Sequence, residues 1–231
     1  MLLEPPQAVE RDEYPSARYV APFAIFLLLL AIAPHLPLQP RWEAPLRVVV
    51  LGAVCVACWP REISFRPVRP MASIAIGAAV FVLWIGPDLL IPGYRNSPWF
   101  SNAIAGHLHS SLAPEALHSS WVLAWRAARA AVIVPIVEEL FWRAWLLRWL
   151  INSNFRAVPL GSYTPLSFWV TAVLFACEHG PYWDVGLITG VIYNWWMIRS
   201  KSVADCILMH AVTNAMLSAY VIATGNWQYW Q

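Results

Sequence analysis

Two adjacent glutamates and an arginine lie in a strongly apolar part of the sequence. Glu138 and Glu139 precede Arg143 by five and four residues in the stretch VIVPIVEELFWRAWLL. Each charge near the centre of a bilayer costs roughly 2.5 to 3.5 kcal/mol on insertion scales, so these three charges require compensation inside the protein. Ionisable groups retained at that cost indicate a site that performs chemistry.

Helical geometry predicts different roles for the two glutamates. Glu139 and Arg143 are four residues apart, so their side chains share one helix face and can form an ion pair. Glu138 projects about 100° away from Glu139 and lacks that partner. Pro135 removes a backbone hydrogen bond just before the glutamates and predicts a kink there.

Two further pairs of residues repeat the spacing of four. Phe175 precedes His179, after which a Gly-Pro pair ends the predicted helix, and His210 precedes Asn214 in the last apolar run. Each pair therefore shares one helix face. Polar side chains that only join membrane helices contribute roughly 0.6 to 2 kcal/mol, which accounts for a single histidine or asparagine. Ionisable groups on three separate helices favour a shared functional centre.

The composition predicts the elements that position these residues. Hydrophobic residues make up 59% of the chain and charged residues 12%, against about 25% charged in ordinary soluble domains. The net charge of +2 and the lack of a basic stripe argue against a nucleic-acid partner. We predict an all-α, polytopic integral membrane bundle with about seven transmembrane helices (range six to eight) in the lipid bilayer. The apolar runs are 19–38, 46–59, 70–92, 119–150, 165–182, 184–199 and 203–223.

The first apolar run follows a segment with four acidic and two basic residues. It therefore lacks the basic start of a secretory signal and is interpreted as a retained anchor. We predict a cytoplasmic tail at 1–18 and a single transmembrane domain at 19–231, with its motif-bearing core at 119–223. The distribution of arginines between alternate loops favours a cytoplasmic N-terminus and an outer C-terminus.

Two other groups of polar residues are interpreted as lying outside the shared centre. The segment 100–120 is interpreted as an amphipathic surface helix whose His107, His109 and His118 are interfacial rather than metal ligands. Glu178 projects about 100° from His179 along the predicted helix, which directs it toward another cavity or the outer boundary; a role in the site is the alternative, because its charge is also costly in a membrane.

The motifs at 138–143, 175–179 and 210–214 read EExxxR, FxxxH and HxxxN. In this order they resemble the signature of the CAAX protease and bacteriocin-processing (CPBP/Abi) family, glutamic intramembrane proteases related to the Ras-converting CAAX endopeptidase. The resemblance covers roughly 119–231. The flanking segments EELFWRAWLLRWL and HAVTNAMLSAYVIATGNWQYW are similar to a bacterial branch associated with exosortase systems. That similarity implies a multi-pass protein of the bacterial inner (plasma) membrane with a functional link to an exosortase system.

Peptide hydrolysis needs a base that activates water and donors that hold the oxyanion. Glu138 suits the base, His179 suits the orientation of the water, and His210 with Asn214 suits the oxyanion site. The ion pair next to Glu138 would brace the helix. The resemblance implies the same division of labour for the site set Glu138, Glu139, Arg143, His179, His210 and Asn214.

The predicted function is therefore an intramembrane endopeptidase without a cofactor, acting on a membrane protein or a lipidated peptide. One alternative is a zinc metalloprotease in which His179, His210 and a glutamate bind the metal, although no HExxH motif is present. Another alternative is a transporter or scaffold that uses the buried charges as a proton path. The sequence shows no inverted repeat of the kind that many transporters carry.

Overall fold

The structure is a computed structural model that describes residues 14–32, 35–102, 105–108, 110, 112 and 114–230. Within these residues the protein is helical and has no β-strand. An isolated antiparallel bridge between Asn102 and Gly106 is the one β-type contact among them. Among the described residues, seven main helices follow the seven predicted apolar runs. They are α1 (Ala17–Ile32), α2 (Pro40–Cys58), α3 (Pro70–Leu90), α4 (120–149), α5 (Pro165–Cys177), α6 (Trp183–Ser200) and α7 (Val203–Thr224).

Helix α4 is the longest element and changes its winding twice. Thirty residues at 1.5 Å each make it about 45 Å long, enough to cross the hydrocarbon core. The irregularity expected near Pro135 takes the form of a π-helical turn directly before it, and a second π-helical stretch contains Arg143. Such turns often occur at functional sites. The segments are α-helical Ser120–Ala128, π-helical Arg129–Ile133, α-helical Val134–Glu139, π-helical Leu140–Leu146 and α-helical Leu147–Trp149.

The surface and the interior have the polarity expected of a membrane protein. Large apolar side chains lie on the outside, with Val56 and Leu90 80% and 82% exposed, while Glu139 and Arg143 are completely buried. Lipid explains this arrangement, because apolar surface is stable in a bilayer whereas an unpaired charge there is costly. Helices α3 and α7 are long and apolar enough to cross a membrane, and α1 and α5 are shorter apolar helices. That all seven helices cross the bilayer stays a prediction.

Small residues let α5 and α6 approach closely. Gly186 and Gly190 are four residues apart on α6 and face α5. A Cβ on Gly190 would lie 3.0 Å from the carbonyl oxygen of Ala172, and one on Gly186 would lie 3.3 Å from the Cα of Ala176. This small-xxx-small contact is typical of membrane helix pairs. It fixes the end of α5, which leads directly to His179.

A buried arginine fastens the turn that follows His179. Arg95 donates hydrogen bonds to Asp88 at the end of α3 (3.0 Å), to Asp184 at the start of α6 (2.6 Å) and to the carbonyl of Pro181 between them (2.7 Å). The Tyr229 hydroxyl donates to the second oxygen of Asp88 over 2.8 Å. Charge-assisted bonds of this kind are about twice as strong as neutral ones. The cluster therefore holds the chain beside His179 in place.

Three sequence predictions about boundaries are wrong. Helix α1 ends at Ile32 rather than near residue 38, and α5 ends at Cys177, before His179 and the Gly-Pro pair that was expected to end it, since prolines in APHLPL and HGP lack the N–H that a helix requires. In the described part of 100–119, Pro114–His118 alone is helical, as a 3₁₀ turn, and α4 begins at Ser120. Polar side chains there bond locally instead, as in the 2.6 Å contact between Ser101 and His107. His109 lies outside the described residues.

Candidate active site

The pair predicted from its spacing of four forms at the centre of the bundle. The Nη1 atom of Arg143 lies 3.2 Å from Oε1 of Glu139. The Nε–H of Arg143 donates to Oδ1 of Asn194 on α6 over 3.3 Å, and the guanidinium carbon lies 4.4 Å from the ring centre of Phe175 on α5. Arg143 therefore joins α4 to two other helices while its charge is balanced by a carboxylate and an aromatic face.

His210 reaches the same carboxylate from α7. Its Nδ1 lies 2.9 Å from Oε1 of Glu139. Because an ionised carboxylate only accepts hydrogen bonds, Nδ1 carries the hydrogen in this contact. The other ring nitrogen, Nε2, then has a hydrogen only when the ring is an imidazolium.

Asn214 lies one turn after His210 on α7 and forms a hydrogen bond to the first π-helical turn of α4. Its side-chain amide donates to the carbonyl oxygen of Ala130 over 2.8 Å. An asparagine amide has two N–H groups, so this bond orients the side chain and leaves a second donor for a ligand. The π-helical winding changes the backbone hydrogen-bonding partners around Ala130, which suits an interhelical acceptor.

His179 lies two residues beyond the end of α5, not on the helix. Its backbone leaves helical geometry (φ −93°, ψ 6°), and its Nδ1 lies 2.6 Å from the carbonyl oxygen of Phe175. A carbonyl only accepts, so Nδ1 donates, and Nε2 of the neutral ring is left with its lone pair. The edge contact with Trp84, at 5.2 Å between ring centres, supports the ring from α3. His179 therefore presents a basic nitrogen.

Four of the six predicted site residues line one cavity of about 320 Å³. Glu138 from α4, His179 from the turn after α5, and His210 and Asn214 from α7 all contribute to its wall. Glu139 and Arg143 do not line it and lie completely buried behind the wall. The structure thus separates four residues that can contact a ligand from two that support them.

Glu178 lines the same cavity, so the prediction that it faces elsewhere is wrong. The Trp142 indole N–H donates to Oε1 of Glu178 over 3.2 Å, and Glu178 shares the cavity wall with Glu138. The prediction from helix geometry failed because His179 leaves the helix and folds back toward Phe175. Glu178 and His179 therefore both face the cavity. Glu178 is exposed at the cavity surface and therefore accessible to a ligand.

The end of the cavity near the start of α4 carries two arginines that were not among the predicted site residues. Arg126 and Arg129 line the wall, and the guanidinium of Arg126 lies 5.2 Å from the ring centre of Trp230. Their positive charge favours an anionic group of a ligand at this end. A sequence signal existed: Arg126, Ala130, Val134 and Glu138 recur every four residues and hence follow one side of α4. His107 and His118 do not line the cavity.

The fold and the site define a helical membrane protein with acids, imidazoles and an amide around one cavity. The family model described as Type II CAAX prenyl endopeptidase Rce1-like matches residues 119–216. The match covers somewhat less than half of the chain but contains α4, α5, α6 and all six predicted site residues. It supports the resemblance at the level of the CAAX protease family and hence a membrane-bound protease. No curated protein and no solved structure matches the chain.

Proposed function

We propose that this cavity is the active site of an intramembrane endopeptidase of the glutamic type, which hydrolyses a peptide bond in a membrane-associated protein. The observation that carries the proposal is the meeting of Glu138, His179, His210 and Asn214 on one cavity. A carboxylate and a basic imidazole nitrogen suit water activation, and two donors opposite them suit an oxyanion. The match to the CAAX endopeptidase family model supports the reaction class.

In the proposed reaction Glu138 is the general base. A water molecule in the cavity donates one hydrogen to the Glu138 carboxylate and the other to Nε2 of His179, whose orientation follows from the 2.6 Å bond at its Nδ1. Glu138 takes a proton as the water oxygen attacks the carbonyl carbon of the substrate. The hydrogen bond from Nδ1 to the Phe175 carbonyl fixes the direction of Nε2, so the ring needs no acidic residue to orient it.

The developing oxyanion is held from α7. The second amide N–H of Asn214 and the Nε2–H of an imidazolium at His210 are the proposed donors. Each is oriented by a bond at its other end, at 2.8 Å to Ala130 and 2.9 Å to Glu139. Donors that are already oriented stabilise the transition state without reorganisation, and loss of one such donor costs about 10²–10³-fold in kcat elsewhere.

The finer parts of the function are also proposals. The substrate is a membrane protein or a lipidated peptide, and the apolar cavity wall that includes Phe26, Leu27 and Leu217 suits an apolar segment of it. The protein is proposed to lie in a bacterial plasma membrane with a cytoplasmic N-terminus, in functional association with an exosortase system. The motif-flanking residues and the loop arginines support these assignments.

A comparison of membrane-protein termini tests the proposed function. Membranes are prepared from matched cells that contain either the wild-type protein or Glu138→Ala, and the peptide termini of their membrane proteins are determined by mass spectrometry. We expect a set of termini that occurs only with the wild type, because hydrolysis creates them. Identical termini in both samples, at equal amounts of the two proteins, would count against a protease and in favour of a transporter or scaffold.

Hydrolysis of a substrate found in this way should survive exhaustive chelation. The proposed base and donors need no metal, and within the described residues no group of three or more His, Cys, Asp or Glu side chains is arranged to hold one. The rate is measured before and after dialysis against chelator, together with the metal content. If stoichiometric zinc restored a rate that chelation had removed, the zinc alternative with His179, His210 and a glutamate would be favoured.

A further inference from the structure

The proposed reaction must also deliver a proton to the leaving amine when the C–N bond breaks. Glu138 holds the proton taken from water, and a second acid in the cavity can supply the amine with its own proton and be restored from Glu138. Glu178 is not part of the EExxxR, FxxxH or HxxxN motifs, yet it lines the cavity beside Glu138 and immediately precedes His179. Its Oε1 accepts the Trp142 N–H over 3.2 Å, which fixes the carboxyl group at the cavity wall.

A second observation concerns Glu138 itself. Its Oε2 is buried and has no hydrogen-bond donor among the described residues, although a buried carboxylate oxygen without a donor is costly. Glu178 lines the same cavity wall, and a charge on either carboxyl group acts on the other. Two ionised carboxylates in one water-poor cavity repel each other, whereas one proton between them converts repulsion into a hydrogen bond.

We propose that Glu178 is a second catalytic carboxyl group, which shares one proton with Glu138 and donates a proton to the leaving amine. This inference rests on the proposed function. The charged and polar groups that surround Glu138 and Glu178 are Glu139 and Arg143 on α4, His210 on α7 and His179 in the turn after α5. The ion pair of Glu139 and Arg143 is internally balanced, so the shared proton remains with the cavity pair.

The proton balance closes over one turnover. Glu138 enters as the carboxylate and Glu178 as the carboxylic acid. Water loses a proton to Glu138 as its oxygen bonds to the carbonyl carbon; the C–N bond then breaks, its electron pair stays on nitrogen, and nitrogen takes the proton of Glu178. The products are a carboxyl group and an amine. The proton on Glu138 passes to Glu178 and restores the starting state.

Glu178→Gln separates this role from a structural one. The amide keeps the shape of the side chain and an oxygen for the Trp142 N–H, so we expect a folded protein. Hydrolysis of a peptide bond should fall about 10²-fold, because general acid catalysis contributes at least that much. The same peptide with an ester at the cleaved bond should lose less than about tenfold, because an alkoxide leaves with less need of a proton. Glu115→Gln, at an exposed glutamate outside the cavity, is the matched control.

An infrared measurement tests the shared proton without any substrate. Protein labelled with carbon-13 glutamate is compared at neutral pH as wild type, Glu138→Gln, Glu178→Gln and Glu115→Gln. We expect a protonated-carboxyl band in the wild type and Glu115→Gln that both cavity variants lose. An unchanged band in Glu178→Gln, or equal losses on amide and ester substrates, would overturn the proposal. A shared band in a protein that cleaves nothing would support the proton pair and contradict the protease function.

Discussion

Glu138→Gln should lower peptide hydrolysis toward the upper end of the roughly 10²–10⁴-fold range that a general base contributes, while the protein stays folded. The substitution removes the proton acceptor but leaves a neutral side chain of nearly the same shape in the cavity wall. It also leaves no charge without a partner, since the buried ion pair of Glu139 and Arg143 is untouched. The measurement is kcat/KM beside thermal unfolding in the same lipid nanodiscs.

His179→Ala should have a comparable effect for a different reason. It removes Nε2, which the bond to the Phe175 carbonyl aims into the cavity, and therefore removes the group that orients the attacking water. His107→Ala is the matched control, because that ring lies outside the cavity. Full activity of Glu138→Gln would show that the base is wrongly assigned, and equal losses in the two histidine variants would point to a general effect on the fold.

The helix order could be predicted from the sequence because a bilayer selects apolar runs of sufficient length. The predicted fourth run, 119–150, differs by one residue at each end from α4 (120–149). Errors occur where a helix ends before its apolar run does, as at Ile32 and Cys177. Hydropathy does not register a missing backbone donor, so prolines near these ends decided the boundary.

The site was predictable where one helix carries both partners. The spacing of four predicted the bond between Glu139 and Arg143, which forms at 3.2 Å. Glu178 was not predictable in this way, since its direction depends on how the chain leaves α5. The hydrogen bond between His210 and Glu139 joins residues 71 positions apart, and only the packing of α7 on α4 creates it.

The close packing of α5 and α6 was also missed, although its signal is visible in the sequence. Gly186 and Gly190 form a GxxxG pattern in GLITG, and the structure places α5 against them. This contact determines where α5 ends in space, and hence where His179 enters the cavity. A glycine pattern without charge thus contributes to the site as much as the motifs do.

Arg143→Ala should lower the stability of the protein as well as its activity. Removing one partner of a buried ion pair destabilises by roughly 3 to 5 kcal/mol, because the other charge remains buried. Here Glu139 would keep only His210, and Asn194 and the face of Phe175 would lose a cation that they contact at 3.3 and 4.4 Å. Unfolding in denaturant, followed by the burial-sensitive fluorescence of the tryptophans, measures the loss.

A second substitution at Glu139 identifies the cause of that loss. When Glu139→Gln is added to Arg143→Ala, the stranded charge disappears, so part of the stability should return, since replacing both members of a buried pair is often nearly neutral. Activity should stay low in the double variant, because the ring of His210 would contact an amide in place of the carboxylate that orients it. An Arg143→Ala protein as stable as the wild type would contradict the supporting role of the ion pair. A double variant no more stable than Arg143→Ala would assign the loss to the cavity left by the arginine side chain instead.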